Sequence, residues 1–451
     1  MDFSKIRRVY FLGIGGIGMS ALARYLYRSG VEVLGYDREQ TELTKKLEAE
    51  GINIEYSTEL RLAKGPIDVV IYTPAIKAGQ REYEFFEEQG TAMLKRSEAL
   101  ELILAGKKVI AVAGTHGKTS TCALIAHICQ EHDVELTAFV GGELSGYETN
   151  FFYGTSKWVL VEADEYDRSF WRLYPELAVI NALDADHLDI YGTYQEMLEA
   201  YEVFTYQVHD GGAIFIADTA KTHVNGKWVQ GLKTRNIALS FFGVGHAELQ
   251  ARSVEILEGS YAYELKGRKV KLNQPGNHNV YNSLAAIGIC SMLGLKLDQI
   301  ADSIETFKGI KRRYEYKYRT KDVVIIDDYA HHPVEIEKTI EATRRVHNDK
   351  ILTVVFQPHL YSRTNDLKEG FAKALDRADE VILVDLYPAR EQPIEGVSSQ
   401  TIIELMEKDN KVYISNEKLV EHLKDPKREL ILFMGAGDAN NYIEELISAY
   451  N

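Results

Sequence analysis

Short apolar runs rich in β-branched residues alternate with amphipathic helical patterns along almost all of this 451-residue chain. The alternation is typical of βαβ units, in which helices cover a parallel sheet. It predicts strands at Glu32–Tyr36, Trp158–Glu162, Leu177–Ile180, Leu352–Phe356 and Leu430–Met434. We therefore expect an α/β fold built on largely parallel sheets.

The chain is too long for a single hydrophobic core, which favours several domains. Breaks near Gly106 and Gly309 divide it into three. We expect a Rossmann-like domain over 1–106, a central P-loop ATPase-type domain with a mixed sheet over 107–308, and a C-terminal Rossmann-like domain over 309–451. Between about 250 and 273 apolar residues recur at every second position, which predicts an antiparallel meander attached to the central sheet.

Charge and cysteine usage exclude several function classes. The net charge of −15 opposes binding to a nucleic-acid backbone. The three cysteines form no CxxC pair, so we expect buried apolar residues, a reducing compartment and no zinc site. The uncharged stretch from Val9 to Ala23 resembles a signal peptide, but four glycines interrupt it and a binding loop explains it better. No other stretch approaches the roughly 18 apolar residues of a membrane span.

The first glycine-rich loop directly follows a predicted strand and opens a helix. Its glycines are Gly13, Gly15, Gly16 and Gly18. They permit a tight turn and let backbone N–H groups approach a diphosphate at the helix N-terminus. Asp37, at the end of the next strand, is placed to accept from ribose hydroxyls. The pattern indicates a diphosphate-bearing ligand but leaves open whether it is a nicotinamide dinucleotide or a nucleotide sugar.

The second glycine-rich loop combines a phosphate cradle with a lysine. We assign ATP phosphates to Gly114, Thr115, His116, Gly117, Lys118, Thr119 and Ser120. Lys118 can neutralise the β- and γ-phosphates, and the Thr119 hydroxyl is a ligand for Mg²⁺. The loop reads GxxGKT and departs from the GxxxxGK[ST] pattern, although its residue types are those that phosphate binding needs.

Acidic residues follow two further predicted strands. The run from Glu162 to Asp167 is either a magnesium site, with Glu162 as its best candidate, or a solvated loop. The run from Asn181 to Asp189 contains His187 between aspartates. His187 is therefore a candidate metal ligand or phosphate contact, with a structural histidine as the alternative.

An asparagine-rich segment, Pro275–Asn282, leads into a helix. Amides of this kind suit the edge of an adenine, but capping of the helix is an equal alternative. The C-terminal region supplies loops after its strands that contain Asp328, Tyr329, His331, His359 and Arg363. The arginines in this region, Arg312, Arg313 and Arg363, offer planar forks for phosphates or carboxylates, with surface ion pairs as the alternative, and we assign Arg313 to ATP.

Taken together, these motifs resemble those of the Mur ligase family of peptidoglycan synthesis, most closely its alanine-adding branch. The resemblance covers nearly the whole chain and is carried by GIGGIGMS, AGTHGKTST, EADEYD, DADHLD, PGNHNVYN, DDYAHHP and FQPHLYSRT. Two departures stand out. Leu360 replaces an arginine of the family, and no lysine lies between His187 and Lys221, so the carbamoylated lysine of some relatives should be absent.

The resemblance implies roles for the residues that match the family's motifs. It assigns the first glycine loop and Asp37 to UDP-N-acetylmuramate, and Lys118 and Thr119 to ATP and Mg²⁺. It makes Glu162 and His187 ligands of a second Mg²⁺. The remaining matches are His278 and Asn282 for adenine, Asp328 near the ATP ribose, and Tyr329, His331, His359 and Arg363 around the amino acid. The catalytic candidates are Lys118, His187, His331, His359 and Arg363.

The resemblance also implies the reaction. ATP would phosphorylate the lactyl carboxylate of UDP-N-acetylmuramate, and L-alanine would attack the acyl phosphate, in a bacterial cytoplasmic enzyme that is a monomer or homodimer and uses neither nucleic acid nor membrane. One alternative is a ligase that adds a recycled murein tripeptide to the same acceptor. Another, from a different class, is an NAD(P)-dependent oxidoreductase, which would leave the Lys118 loop without a role.

Overall fold

A computed structural model describes residues 3–185, 188–257, 260–389, 391–424 and 428–450. The chain forms two compact units. The first contains Met1–Ser253, Tyr263–Val270 and His278–Phe307, and the second contains Val254–Ala262, Lys271–Asn277 and Lys308–Asn451. The boundaries at 106 and 308 stay predictions.

The N-terminal region contains a parallel sheet of five strands in the order β3-β2-β1-β4-β5. The strands are β1 (Arg8–Leu12), β2 (Glu32–Tyr36), β3 (Asn53–Glu55), β4 (Val69–Tyr72) and β5 (Met93–Lys95), and the helices are α1 (Ile17–Arg28), α2 (Glu42–Ala49), α3 (Arg81–Glu88) and α4 (Arg96–Leu104). The order reverses between β1 and β4. Ligands of open α/β sheets bind at such a point, outside the carboxyl ends of the strands.

The central region contains an eight-stranded sheet in the order β13-β12-β11-β10-β6-β9-β7-β8. Its strands are β6 (Lys108–Ala113), β7 (Thr137–Leu144), β8 (Thr149–Phe152), β9 (Trp158–Glu162), β10 (Leu177–Ile180), β11 (Ala213–Ala217), β12 (Ala238–Gly243) and β13 (Leu249–Gln250). Among the described strands of this sheet, only β8 is antiparallel to its neighbour. The expected mixed sheet is confirmed.

The described part of this region also contains the helices α5 (Lys118–Glu131), α6 (Leu188–Tyr191), α7 (Tyr194–Thr205), α8 (Gly226–Thr234), α9 (Asn277–Met292) and α10 (Leu297–Thr306). Helices α5 and α9 are buried over most of their length, and all three cysteines lie in them as buried free thiols. A helix that is apolar on most sides is typical of a protein interior. The expected burial of the cysteines is confirmed.

The predicted meander forms three strands, β14 (Arg252–Leu257), β15 (Ser260–Leu265) and β16 (Arg268–Leu272). Our prediction that it extends the central sheet is wrong, because these strands form a separate sheet in the order β14-β15-β16. The two-residue period showed that one face of each strand is buried, but it carried no information on which sheet the strands join. One of its predicted turns, Glu258-Gly259, lies outside the described residues.

The C-terminal region contains a six-stranded sheet in the order β17-β18-β22-β19-β20-β21. Its strands are β17 (Glu315–Arg319), β18 (Val324–Asp328), β19 (Leu352–Phe356), β20 (Glu380–Leu383), β21 (Lys411–Tyr413) and β22 (Leu430–Met434), and its helices are α11 (Pro333–Val346), α12 (Tyr361–Leu375), α13 (Ser399–Leu405), α14 (Leu419–Leu423) and α15 (Ile443–Tyr450). Strand β17 is antiparallel to β18 and the other pairings are parallel.

Burial explains why the apolar runs form strands. One core cluster of the first unit includes Val9 and Phe11 of β1 as well as Ala111 of β6 and Ile214 of β11. In the C-terminal sheet alternate residues enter different clusters, with Ile326, Val354 and Leu432 on one face and Ile325, Val355 and Ile431 on the other. Strands buried on both faces need continuous apolar runs. Within the described ranges, no helix combines the length and apolarity needed to cross a bilayer.

Candidate active site

The first glycine loop lies between β1 and α1 and is tied to the end of β2. The N–H groups of Gly13 and Ile14 donate to the Tyr36 carbonyl, and the N–H of Gly15 donates to Asp37 Oδ2 at 2.7 Å. Position 13 requires a glycine, because its φ is +79° and a Cβ there would lie 2.6 Å from Thr73. Asp37 therefore orders the loop itself, and a contact to ribose stays a prediction.

The central sheet holds the start of α1. The Asn150 side chain on β8 is fully buried, and its Nδ2 donates to the Ile17 carbonyl at 2.6 Å and to Ser20 Oγ at 3.2 Å. Its Oδ1 accepts from Arg24 Nη1 at 2.5 Å, and Arg24 also pairs with Glu50. The loop that we assign to the sugar nucleotide is thus fixed by a residue 133 positions further along the chain. Nothing in the sequence singled out Asn150.

The second glycine loop follows β6 and ends at α5, as predicted. Gly114 and Gly117 have φ of +128° and +79°, and Gly117 is the N-cap of α5 without a side-chain cap. The Lys118 ammonium folds back and donates to the Gly114 carbonyl at 2.7 Å. Thr115 is buried, its hydroxyl accepts from the Asp184 N–H at 3.2 Å, and His116 lies 3.6 Å from the Asp184 carboxylate. Backbone amides at a helix start and an adjacent cation are what a phosphate requires.

Asn282 lies behind this loop, on α9. It is buried, its Oδ1 accepts from Thr121 Oγ1 at 3.3 Å, and Asn181 donates to the same threonine at 2.9 Å. A Cβ on Gly117 would lie 2.4 Å from Asn282 Oδ1. These contacts make Asn282 a support of the phosphate loop. His278, in the first turn of α9, is exposed, so the two residues assigned to adenine have different environments.

Thr119 and Glu162 form a pair of oxygen donors at the mouth of the loop. The Thr119 hydroxyl donates to Glu162 Oε2 at 3.1 Å, and the N–H of Gly141 on β7 donates to Glu162 Oε1 at 2.5 Å. Burial raises the pKa of Glu162, while the Gly141 N–H and the Lys118 ammonium lower it. A hydroxyl and a carboxylate held together at the wall of a cavity suit a hard cation such as Mg²⁺. The third predicted ligand, His187, lies outside the described residues.

Lys118 is paired with a second carboxylate that the sequence did not distinguish from its neighbours. Both oxygens of Glu165 lie 2.7 Å from Lys118 Nζ, and the Glu165 side chain is only 1% exposed. Tyr191 donates to the Glu165 carbonyl at 2.6 Å. Two carboxylates of the acidic run after β9 therefore make different contacts. Glu162 accepts a hydrogen bond from Thr119, and Glu165 forms an ion pair with Lys118. The run itself was the only sequence signal.

A cavity of about 400 Å³ in the first unit connects the two glycine loops. Gly16, Ile17 and Gly18 line one part of it, and Lys118 and Glu162 line another. The start of α1 and the start of α5 therefore open into the same space. A ligand bound at one loop can reach a group bound at the other.

Arg96, the first residue of α4, also lines this cavity. Its Nη2 donates to Asp164 Oδ2 at 3.4 Å, and its Nη1 lies 2.8 Å from where a Cβ of Gly18 would stand. The guanidinium is about one third exposed. An arginine beside a helix N-terminus provides a second donor set for a diphosphate. Sequence reasoning missed it because no motif surrounds it.

In the second unit, the predicted loops follow the neighbouring strands β18, β22 and β19. Asp328, at the end of β18, is buried and accepts from the N–H groups of Tyr314 at 2.7 Å and Ala330 at 2.8 Å. Burial raises its pKa, and the Arg313 guanidinium opposes that rise. Gln357, after β19, donates to Asp438 and accepts from the Ala439 N–H, which ties two of the loops together. Asp328 shapes the segment around Arg313 rather than offering both oxygens to a ligand.

The two histidines assigned to the amino acid differ in their contacts. His331 Nδ1 lies 2.9 Å from the Tyr329 carbonyl, which can only accept, so Nδ1 carries the proton and Nε2 is left as an acceptor. His359 stacks on Tyr387, and its buried Nδ1 has no hydrogen-bond partner within the part of the chain that the structure describes. Burial and the Arg363 guanidinium lower the pKa of both histidines. Both are therefore neutral at neutral pH.

The adjacent residues Arg312 and Arg313 differ in their environments. Arg312 donates to the carbonyls of Gly435 at 2.5 Å and Gly437 at 3.0 Å. It lies 3.7 Å from Asp327, whose pKa burial raises to about 7 against the effect of Arg312. Arg313 is exposed and its guanidinium lies over the Tyr329 ring. Arg313 is thus the one of the pair that is positioned at the surface, as its assignment to ATP requires.

Three family models match the chain in succession. The Mur ligase family catalytic domain matches residues 8–108, the Mur ligase middle domain matches 112–290, and the Mur ligase glutamate ligase domain matches 312–437. Together they cover most of the chain.

Full-length relatives are similar over the same extent. A UDP-N-acetylmuramate–L-alanine ligase of Christiangramia forsetii is 39% identical over 99% of this chain and 98% of its own length. A ligase of the same name from Flavobacterium johnsoniae is 39% identical over 100% and 99%.

Two solved structures have similar folds. The UDP-N-acetylmuramate–alanine ligase of Thermotoga maritima has a TM-score of 0.82 at 27% identity and covers 98% of this chain and 99% of its own. A murein peptide ligase of Psychrobacter arcticus has a TM-score of 0.70 at 22% identity, covering 98% of each chain, and shows the fold alone.

Proposed function

This chain belongs to the Mur ligase family, and from that premise we propose that it joins L-alanine to the lactyl carboxylate of UDP-N-acetylmuramate at the expense of ATP. The product is a precursor of peptidoglycan. The relatives that are 37–39% identical over nearly their whole length carry this activity in their names. The recycled-tripeptide alternative has support only from a likeness of fold.

The single observation that carries the proposal is the cavity shared by the two glycine loops. A sugar nucleotide whose diphosphate lies at the start of α1 would extend its acid toward Lys118, where the terminal phosphate of ATP is expected. An oxidoreductase would need one dinucleotide site and would leave Lys118, Thr119 and Glu162 unexplained. The arrangement favours transfer between two bound substrates.

The residues around Lys118 suit phosphoryl transfer to a carboxylate. A bare carboxylate resists an amine because it is negative and its oxygen leaves poorly, and phosphorylation removes both obstacles. Lys118 and the first-turn amides of α5 would hold the phosphates in line with the acid. Thr119 and Glu162 would hold Mg²⁺, which supplies positive charge against the terminal phosphate. The amine would then displace phosphate from the acyl phosphate and leave an amide.

His331 fits the removal of a proton from the L-alanine ammonium. Its Nδ1–H is committed to the Tyr329 carbonyl, so Nε2 is the atom that can accept the proton. Its lowered pKa keeps it in the neutral form that a base requires. His359 lacks a corresponding contact at Nδ1 within the described structure, and we assign it to orienting the amino acid together with Arg363 and Tyr329.

Lys118→Ala provides the direct test. We expect alanine-dependent ADP release to fall by at least about a hundredfold, because one cationic donor to the transferred phosphate is lost. Unchanged circular dichroism and melting temperature would show that the fold persists. Retained alanine-dependent turnover in this variant would contradict the proposal. If the wild-type chain turned over ATP with the murein tripeptide but not with L-alanine, the recycling activity would replace the proposed one.

A further inference from the structure

The pair formed by Lys118 and Glu165 lies inside the proposed ATP site and is almost closed to water. The side chains are 18% and 1% exposed, and both carboxylate oxygens lie 2.7 Å from the ammonium nitrogen. The pair joins the phosphate loop to the segment after β9, 47 residues apart in sequence. Burial of a carboxylate is costly unless a cation is beside it. In this conformation, Lys118 is that cation.

Lys118 is therefore shared between a backbone carbonyl and a carboxylate of the protein itself. An ammonium has three N–H donors, and here they are directed to Gly114 and to Glu165. A phosphate that binds Lys118 must draw part of this charge away from Glu165. Glu162 and Asp164 add further negative charge at the end of the same strand.

We propose that Glu165 is a positioning residue that competes with nucleotide phosphates for Lys118. Through this competition it lowers the affinity of the site for the two products ADP and inorganic phosphate. The inference rests on the proposed function, because it requires the phosphates to contact Lys118. Two acids three residues apart would then have opposite effects. Glu162 would bind a cation beside the phosphates, whereas Glu165 would reduce the attraction between Lys118 and the phosphates. Release of products would then depend on the carboxylate at position 165.

Glu165→Gln tests this inference by the sign of its effect. Glutamine has nearly the same shape and keeps an oxygen near Lys118 but removes the negative charge. We expect ADP to bind about tenfold more tightly, because opposite charges in contact interact strongly in a partly buried site. Inorganic phosphate should bind more tightly as well, and the inhibition constant of ADP in the full reaction should fall in parallel. A residue with only a structural role would weaken binding when replaced.

Calorimetric titration of ADP, with and without Mg²⁺, should compare the wild-type chain with Glu165→Gln and Lys118→Ala. Glu380→Gln is the control, since Glu380 forms a largely buried ion pair with Arg428 at 2.6 Å in the second unit. This variant should leave ADP binding unchanged. Should the glutamine variant fail to fold, Glu165→Asp retains the charge on a shorter side chain and should tighten ADP binding by about threefold.

Unchanged or weaker ADP binding in the position-165 variants, while Lys118→Ala loses binding, would overturn the inference and leave the proposed function standing. Unaltered ADP binding in Lys118→Ala would overturn both, because ADP would then lie away from the loop.

Discussion

Gly141→Ala is the smallest change that should disable the site while leaving the fold intact. Gly141 lies in β7 outside the positive-φ region, so alanine meets no backbone strain there. Its added Cβ would lie 2.6 Å from Glu162 Oε1 and 2.8 Å from Oε2. Ordinary contact begins near 3.4 Å, so the carboxylate must move by the difference between 3.4 and 2.6, which is 0.8 Å.

The displacement falls on the end of a flexible side chain rather than on backbone. We therefore expect the free energy of unfolding to change by only about 1 kcal/mol or less. Activity should be far more sensitive, because Mg²⁺ tolerates little variation in its ligand distances, and a misplacement of about 1 Å in a reacting assembly can cost about a hundredfold. The predicted loss in kcat is about 10- to 100-fold, accompanied by a higher Mg²⁺ requirement.

The assay measures phosphate release across a Mg²⁺ titration, with UDP-N-acetylmuramate, ATP and L-alanine at saturating concentrations. Gly226→Ala is the control: this glycine begins α8, and an added Cβ there meets no atom within 4 Å. It should leave the kinetics unchanged. Wild-type kcat and Mg²⁺ dependence in Gly141→Ala would refute the assignment of Glu162 as a ligand.

Three further predictions concern Arg96, His331 and Asn150. Arg96→Ala should raise the Kd of UDP-N-acetylmuramate by about tenfold or more, and that of UDP-N-acetylglucosamine equally, since a diphosphate contact is shared by both; calorimetry that finds only the first affected would place Arg96 at the lactyl acid. Burial lowers the pKa of His331 below its ordinary 6.5, and the Arg363 and Arg313 guanidinium groups add to the lowering. The Glu335 carboxylate and the Tyr329 carbonyl oppose it. The acid limb of kcat/KM should therefore lie below pH 6.5, and Glu335→Gln should move it lower; a move to higher pH would exclude His331. Asn150→Ala should cost about 2–4 kcal/mol in urea unfolding, because it removes the buried acceptor of Arg24 Nη1 and one of the two side-chain donors to the Ile17 carbonyl; a loss below about 1 kcal/mol would contradict this role.

The parallel strands could be predicted from the sequence because their burial leaves a direct trace. Trp158–Glu162, Leu352–Phe356 and Leu430–Met434 have the predicted bounds. The short edge strands β3 and β5 were missed, since three residues at an edge need no apolar run. The sheet of β14–β16 was wrongly assigned to the central sheet for a different reason. The two-residue period of a strand shows which of its faces is buried but not which strand it pairs with.

The site shows the same division between local and distant information. The two glycine loops were predicted because the turn, the helix start and the lysine are consecutive in sequence. Arg96, Asn150 and Glu165 act through partners that are 68, 133 and 47 residues away. No local pattern specifies such a pairing. The sequence could name the chemistry of each loop but not the groups that hold it in place.

For the segment Pro275–Asn282, helical geometry could have indicated a structural role for Asn282 rather than a contact to adenine. Residues three apart share a face, so Asn279 and Asn282 lie together, and the structure joins their side chains at 3.1 Å. The buried residues Val280, Ser283 and Leu284 place Asn282 in the protein interior. An interior position beside α5 favours a support of the phosphate loop, whereas His278 is exposed and its contact with the nucleotide stays a prediction. Replacing Asn282 should therefore disturb the phosphates of ATP more than its base.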